Sequence, residues 1–329
     1  MRDITPQILR LLRQASGYLS GEAICADVGV TRAAVWKHVQ ALRDAGYTID
    51  SAPRKGYRFV SGPDRLLPAE IQPGLSTRRF GAVISYDEVL GSTNRRASEL
   101  AKQGAVEGTL VVADHQTEGR GRLQRIWFSP PGMNLYASLI LRPAVPPVRA
   151  PELSLVAAVA IVRAIQGQCP DLDLKIKWPN DVFAGGKKCC GVLCDMDSEI
   201  DRVHYLIVGI GINVNTPSAA FPPAIADRAT SLAAETGGNW SRPKTMTALL
   251  NAFEPAYDQW LEDGLAPFVP ELDRFSLLQG RTVTISTGRG HMSGTVTGIS
   301  PQGALLLRDA SGTPQTILSG DVHVESIGN

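Results

Sequence analysis

Gln116-Thr117-Glu118-Gly119-Arg120-Gly121-Arg122-Leu123-Gln124-Arg125 follows a short apolar run at residues 110–113. The run reads as a strand entering a sheet. What comes after it cannot be core, because three arginines and two glycines fall within residues 119–125. Glycine lets backbone amides approach an anion, and guanidinium forks grip phosphate or carboxylate with paired hydrogen bonds. A cationic, glycine-loosened loop at a strand end suits a phosphorylated or adenylated ligand; the alternative is a solvated basic surface loop. Working outward, strand-like runs at 83–86, 109–113, 134–141, 175–178 and 203–212 alternate with helical ones at 94–103, 151–166 and 245–262. Residues 80–272 therefore read as an α/β domain around a central sheet.

The flanks read differently. Residues 1–62 carry nine Lys and Arg against five Asp and Glu, a small basic head on a mildly acidic body, in a chain of overall net charge +1. Helical spacing over residues 4–15 and 21–27 is followed by a Val28-Gly29-Val30 turn. Thr31 can cap a third helix from Arg32 to about Ala45, which buries Val35, Val39 and Leu42 at i, i+4 and i+7. Its other face presents Arg32, Ala33, Trp36, Lys37 and Gln40, and a β-prone pair follows with Arg54 and Lys55 at its tip. This is the pattern of a winged helix-turn-helix, with DNA contacts expected from Thr31, Arg32, Ala33, Trp36, Lys37, Gln40, Arg54 and Lys55. A small protein-interaction module is the alternative. Residues 63–79, with Pro68, Pro73 and Gly74, read as a linker. Residues 277–329 read as short strands punctuated by glycine, a small β-barrel.

Composition excludes several classes. The 329 residues are too many for one ordinary domain, and 43% apolar with 20% charged residues is the balance of a globular protein. The longest apolar stretch, residues 155–162, is far short of the roughly 20 a membrane helix needs. The first residues lack an apolar signal core. Five cysteines, two of them the adjacent Cys189 and Cys190, argue against a disulfide framework, so a cytoplasmic location is expected and no membrane partner. Familiar site motifs fail. Gly209-Ile210-Gly211 meets Val214 where a dinucleotide fingerprint needs glycine, and a phosphate-binding loop ending at Gly186-Lys187 meets Asp181. The five histidines show no metal-ligand spacing, and Cys190 and Cys194 lack a second pair, so no resident metal is expected. Three further segments stand out: Lys177-Trp178-Pro179-Asn180-Asp181, the Lys187-Lys188 pair ahead of a returning strand, and a strand ending in Gly209-Ile210-Gly211-Ile212-Asn213.

Taken in order, Gly91-Ser92-Thr93-Asn94, the 116–125 loop, Trp127-Phe128-Ser129-Pro130, Asn134-Leu135-Tyr136, residues 177–181, Lys188-x-x-Gly191 and residues 209–213 resemble the bifunctional biotin–protein ligases that double as biotin operon repressors. The resemblance covers nearly the whole chain, the head matching that family's winged helix and the tail its SH3-like C-terminal domain. It implies a class II synthetase-like catalytic domain with a central mixed sheet. It also implies a two-step reaction, in which biotin and MgATP give biotinyl-5′-adenylate, and the biotinyl group then passes to a lysine of a biotin carboxyl carrier protein. By carry-over, Ser92, Thr93, Asn94, Gln116, Gly119, Arg120, Gly121, Arg122, Lys188 and Gly191 bind biotin, with Arg122 and Lys188 catalytic. Trp127, Asn180, Asp181 and Asn213 are the candidates for ATP and Mg²⁺. ATP, Mg²⁺ and biotin enter as substrates, with no tightly bound prosthetic group. The expected partners are the carrier protein, operator DNA and a second copy of the chain in a ligand-promoted homodimer. A lipoate-type ligase and a ligand-sensing repressor without catalysis are the alternatives; retention of both Arg122 and Lys188 argues against the second. Two departures from the family pattern stand out: Gln124 replaces a loop glycine, which predicts a strained backbone angle there, and Cys189 and Cys190 replace small aliphatic residues.

Overall fold

The computed structural model describes residues 4–287 and 290–324. They divide into two compact units, one ending at Arg65 and the other starting at Leu66.

The first unit is α1 (Thr5–Gln14), α2 (Gly21–Val28), α3 (Arg32–Asp44) and a hairpin of β1 (Thr48–Ala52) and β2 (Gly56–Ser61). Its helices start where side chains can satisfy orphan amides: Ser20 accepts from the Ala23 N–H at 3.0 Å and Thr31 from the Ala34 N–H at 3.3 Å. Gly29, with φ +70°, ends α2. Ile8, Leu12, Ile24, Val35 and Val39 close the core. Thr31, Arg32, Ala33, Trp36 and Lys37 lie exposed on α3 with Gln40 half-buried, and Arg54 and Lys55 are exposed at the hairpin tip. The hairpin docks through Gly56, whose neighbour Tyr57 exchanges backbone hydrogen bonds with Leu19 at 2.8 and 2.9 Å.

The second unit runs through α4 (Pro68–Ile71), β3 (Ile84–Leu90), α5 (Thr93–Lys102), β4 (Leu110–Gln116), β5 (Leu135–Leu141), α6 (Glu152–Gln166), β6 (Leu174–Lys177), β7 (Asp181–Ala184), β8 (Lys187–Ser198), β9 (Val203–Ile212), α7 (Leu232–Thr236), α8 (Arg242–Asp263) and α9 (Val269–Arg274). Its sheet is mixed, in the order β3-β4-β5-β9-β8-β7-β6. Only the β3–β4 ladder is parallel. Alternating side chains of the sheet feed two cores. Leu110, Val112 and Leu139 meet α6 and α8 on one face, while Val111, Ile140 and Ile207 meet Ala97 and Ala101 of α5 on the other. Helix α6 is buried almost all round, so its sequence shows a continuous apolar run instead of a stripe. Residues 63–79, read from sequence as a linker, hold α4 and bury Leu66 and Ile71. Asn251 clasps this segment, donating to the Gly74 carbonyl at 3.0 Å and accepting from the Ser76 N–H at 2.8 Å.

The chain finishes in β10 (Thr282–Thr287), β11 (Gly290–Ile299), β12 (Leu305–Arg308), β13 (Pro314–Ile317) and β14 (Asp321–Val324), an antiparallel sheet ordered β13-β12-β11-β10-β14. Its last strand was not read from sequence. Val283, Ile285, Leu305 and Leu307 join the main core, and the Trp178 indole donates to the Gly303 carbonyl at 2.9 Å. Among the described residues no helix is long and apolar enough to cross a membrane.

Candidate active site

The arginine–glycine loop leaves β4 and folds back on itself. Gly121 N–H donates to the Arg125 carbonyl at 2.8 Å and Trp127 N–H to the Gly119 carbonyl at 2.9 Å. Gly119 is required sterically, since a Cβ there would stand 2.5 Å from Ser129 Oγ; Gly121 meets only one distant carbonyl. At the tip Leu123 and Gln124 both adopt left-handed backbone, with φ +54° and +59°. Gln124 thus sits in the conformation for which glycine is suited, as its departure from the family pattern predicted.

Beneath the loop lies a cavity of about 340 Å³. Ser92, Asn94, Arg120, Gly121 and Arg122 line it, together with Arg95, Leu193 and Asp195. Thr93 and Gln116 adjoin it: Gln116 Oε1 accepts from the Thr93 N–H at 2.8 Å, and Gln116 Nε2 donates to Ser129 Oγ at 3.3 Å. Glu118 holds Arg95 at 2.7 Å and lies 3.7 Å from Arg120, partly neutralising the loop.

Two cations from separate stretches converge on one turn. Arg122 donates to Asn180 Oδ1 at 3.2 Å, and Lys188 Nζ lies 2.7 Å from Asp181 Oδ1, the next residue along. A second Arg122 nitrogen lies 3.4 Å from the Gly320 carbonyl. A bulge between Val182 and Phe183 shifts the β7–β8 register at Lys188, and residues 228–230 pin its backbone at 2.9 and 3.0 Å. Gly191 and Gly211 face each other across β8 and β9, and Trp127 lies on the bare backbone they leave. A Cβ on Gly211 would stand 2.6 Å from the indole. Lys188 Nζ sits 5.4 Å from the centre of the same ring, a cation–π arrangement.

Asn213 is placed differently. Trp127, Asn180, Asp181, Lys188 and Gly191 also stand outside the cavity lining, but Asn213 is in addition buried, donates to the Thr230 carbonyl at 3.0 Å and lies 3.5 Å from Asn134. Next to it runs a buried network that the sequence reading missed. Arg242 pairs with Asp114 at 2.7 Å, Tyr86 donates to Asp114 at 2.6 Å, and Asn134 accepts from the Val214 N–H at 2.9 Å. These residues fasten the ends of β4, β5 and β9, from which the site projects. Cys189 and Cys190 are wholly buried. Burial pushes the Cys189 thiol up to about 12 and Cys190 well above its ordinary value, so both are packing residues with little thiolate at neutral pH. Arg95, Asp195 and Ser138 also escaped the sequence reading. Ser138 alone left a signal, a single serine in the otherwise aliphatic and aromatic run of residues 135–141.

A mixed sheet with a cationic loop closing a polar cavity, joined to a winged helix, defines a ligand-activating enzyme coupled to a DNA-binding head. Residues 86–213 match the biotin/lipoate A/B protein ligase family, residues 5–58 an HTH domain and residues 279–324 the biotin protein ligase C-terminal domain. The bifunctional ligase/repressor BirA of Bacillus spizizenii is 41% identical over 318 residues, covering 96% of this chain and 97% of its own. That of Escherichia coli is 30% identical over 331 residues and 99% of both chains. The structure of the biotin protein ligase from Aquifex aeolicus in complex with biotin and ATP superimposes with a TM-score of 0.64 at 32% identity, over 74% of this chain and 99% of that one. The chain belongs to the family of bifunctional biotin–protein ligases and repressors.

Proposed function

We propose that the cavity binds biotin, that Arg122 and Lys188 drive its adenylation, and that the product is passed to a lysine of a biotin carboxyl carrier protein. In the first step a biotin carboxylate oxygen attacks the α-phosphorus of ATP and the bond to pyrophosphate breaks. In the second a lysine amine attacks the acyl carbon and AMP leaves. Two anions must meet in the first step, so positive charge placed around them lowers the barrier. The observation that supports this reading is the convergence of Arg122 and Lys188 on the consecutive residues Asn180 and Asp181.

Ser92, Thr93, Asn94 and Gln116 hold the ureido end, whose N–H and C=O groups require the mixed donors and acceptors that these side chains offer. The loop from Gly119 to Arg122 covers the adenylate and keeps a water-labile mixed anhydride dry. Mg²⁺ arrives with the triphosphate, and Asn180, Asp181 and Trp127 are its and the nucleotide's nearest candidates. Gly191 serves the ligand indirectly, by leaving room for the Trp127 ring and the Lys188 side chain beside it. The buried Asn213 serves this site by fastening strand ends rather than by contact.

The same adenylate acts as corepressor. It orders the loop, favours a homodimer and lets two heads meet paired half-sites of an operator. A sedimentation shift on adding adenylate checks this, and a chain still monomeric at saturation contradicts it. The exposed face of α3 and the basic hairpin tip supply phosphate and base contacts. The unpaired cysteines suit a reducing cytoplasm. For the ligase, Lys188→Ala should slow biotin-dependent pyrophosphate release by roughly 100-fold or more while thermal unfolding stays put. Release at the wild-type rate refutes the assigned role.

A further inference from the structure

The carboxamide of Asn94 occupies a slot built across three strands. Its floor is Gly209 on β9, where a Cβ would stand 2.0 Å from Asn94 Oδ1. Gly209 is register partner to Ser138 on β5 and to Leu193 on β8. Ser138 Oγ lies 2.6 Å from Asn94 Oδ1 and 2.8 Å from Thr93 Oγ1; Asn94 Nδ2 donates to Asp195 at 2.7 Å and to the Leu193 carbonyl at 3.3 Å. Ser138 itself is wholly buried and does not line the cavity.

Two hydroxyl protons are shared along this row of oxygens, those of Ser138 and Thr93. A hydroxyl has one proton, and Ser138 Oγ has two oxygen neighbours at bonding distance. The 2.6 Å contact to Asn94 Oδ1 would be repulsive without a proton in it. Flipping the Asn94 amide offers no escape, because its oxygen would then face the Asp195 carboxylate and the Leu193 carbonyl. The Ser138 proton therefore goes to Asn94 Oδ1. Thr93 donates its own proton to Gln116 Oε1 at 3.0 Å, which the Thr93 backbone N–H also reaches at 2.8 Å, so this one residue fixes the Gln116 carbonyl from two sides.

We infer that Ser138 is a positioning residue for vitamin recognition. Its buried hydroxyl holds the Asn94 carboxamide and the Thr93 hydroxyl in place together, and so presents one fixed donor–acceptor pattern to the ureido ring that neither oxidised nor reduced lipoate could match. The inference rests on the proposed function of the site. Without Ser138, Asn94 Oδ1 loses its donor at 2.6 Å and Thr93 Oγ1 its neighbour at 2.8 Å, so the carboxamide and the hydroxyl are both released from the geometry the ligand meets.

The test compares Ser138→Ala in the wild type and in an Asn94→Ala background. In the wild type it should raise the KM for biotin roughly 10-fold, the scale of one lost buried hydrogen bond, and leave the KM for ATP and kcat within about twofold. In the Asn94→Ala background the further loss should shrink to about threefold or less. Equal losses in both backgrounds, or a matching rise in the KM for ATP, overturn the positioning role. Should Ser138→Ala not fold, Ser138→Cys keeps the volume with a far weaker donor and should show the same split. If the wild type makes no adenylate from biotin, the functional reading itself fails; if it does and Ser138→Ala matches it, only this inference fails.

Discussion

At the scale of single residues the loop tip carries the most telling detail. Gln124 holds φ +59°, a region where a side chain costs on the order of 1 kcal/mol and glycine costs nothing steric. The closed loop carries that strain, so Gln124→Gly should favour closure by about 0.5–1 kcal/mol. Bound adenylate should then dissociate roughly two- to fivefold more slowly, read by chasing labelled adenylate with excess biotin and ATP. An unchanged lifetime would mean that closure is limited elsewhere. This angle was legible in advance because the motif demands glycine at that position. Ser138 was not, because its importance lies in where three strands bring it, and the sequence marks it only as a polar residue in an apolar run.

Among the elements, the hairpin of the head depends on one close approach. Gly56 has φ +102°, and a Cβ there would stand 2.0 Å from the Leu19 carbonyl oxygen. Gly56→Ala must therefore move backbone, at a cost of about 1–3 kcal/mol. It should loosen the hairpin and weaken operator binding, measured by fluorescence anisotropy, while biotinylation of the carrier proceeds at the wild-type rate. Equal loss of both activities would contradict the separation of the two units. The six longer helices and most strands were legible from periodicity and caps, while the short α4, α7 and α9 were not. Strands β7 and β8 were harder to read, since β7 has only four residues, β8 opens on two lysines, and a bulge interrupts their pairing. The segment 63–79 looked like a connection because proline and glycine dominate it, yet Leu66 and Ile71 anchor it in the core. Local composition does not reveal a tertiary partner.

For the molecule as a whole, one buried ion pair ties distant stretches of the catalytic unit together. Arg242 and Asp114 pair with almost no exposure, joining the start of α8 to the end of β4. Arg242→Met leaves a buried carboxylate without its cation, which typically costs about 3–5 kcal/mol. Thermal unfolding of the catalytic unit should fall by several degrees, with the transition of the head unmoved; a smaller drop in the Arg242→Met, Asp114→Asn double variant confirms the cause. Such pairs are invisible in sequence, where the partners stand 128 positions apart. The contact between Arg122 and the Gly320 carbonyl spans further still, 198 positions. During synthesis the guanidinium emerges long before its distant acceptor, so the growing polypeptide cannot complete that arginine's seat until its final sheet is nearly made, and shortened products that stop before Gly320 must hold it by Asn180 alone.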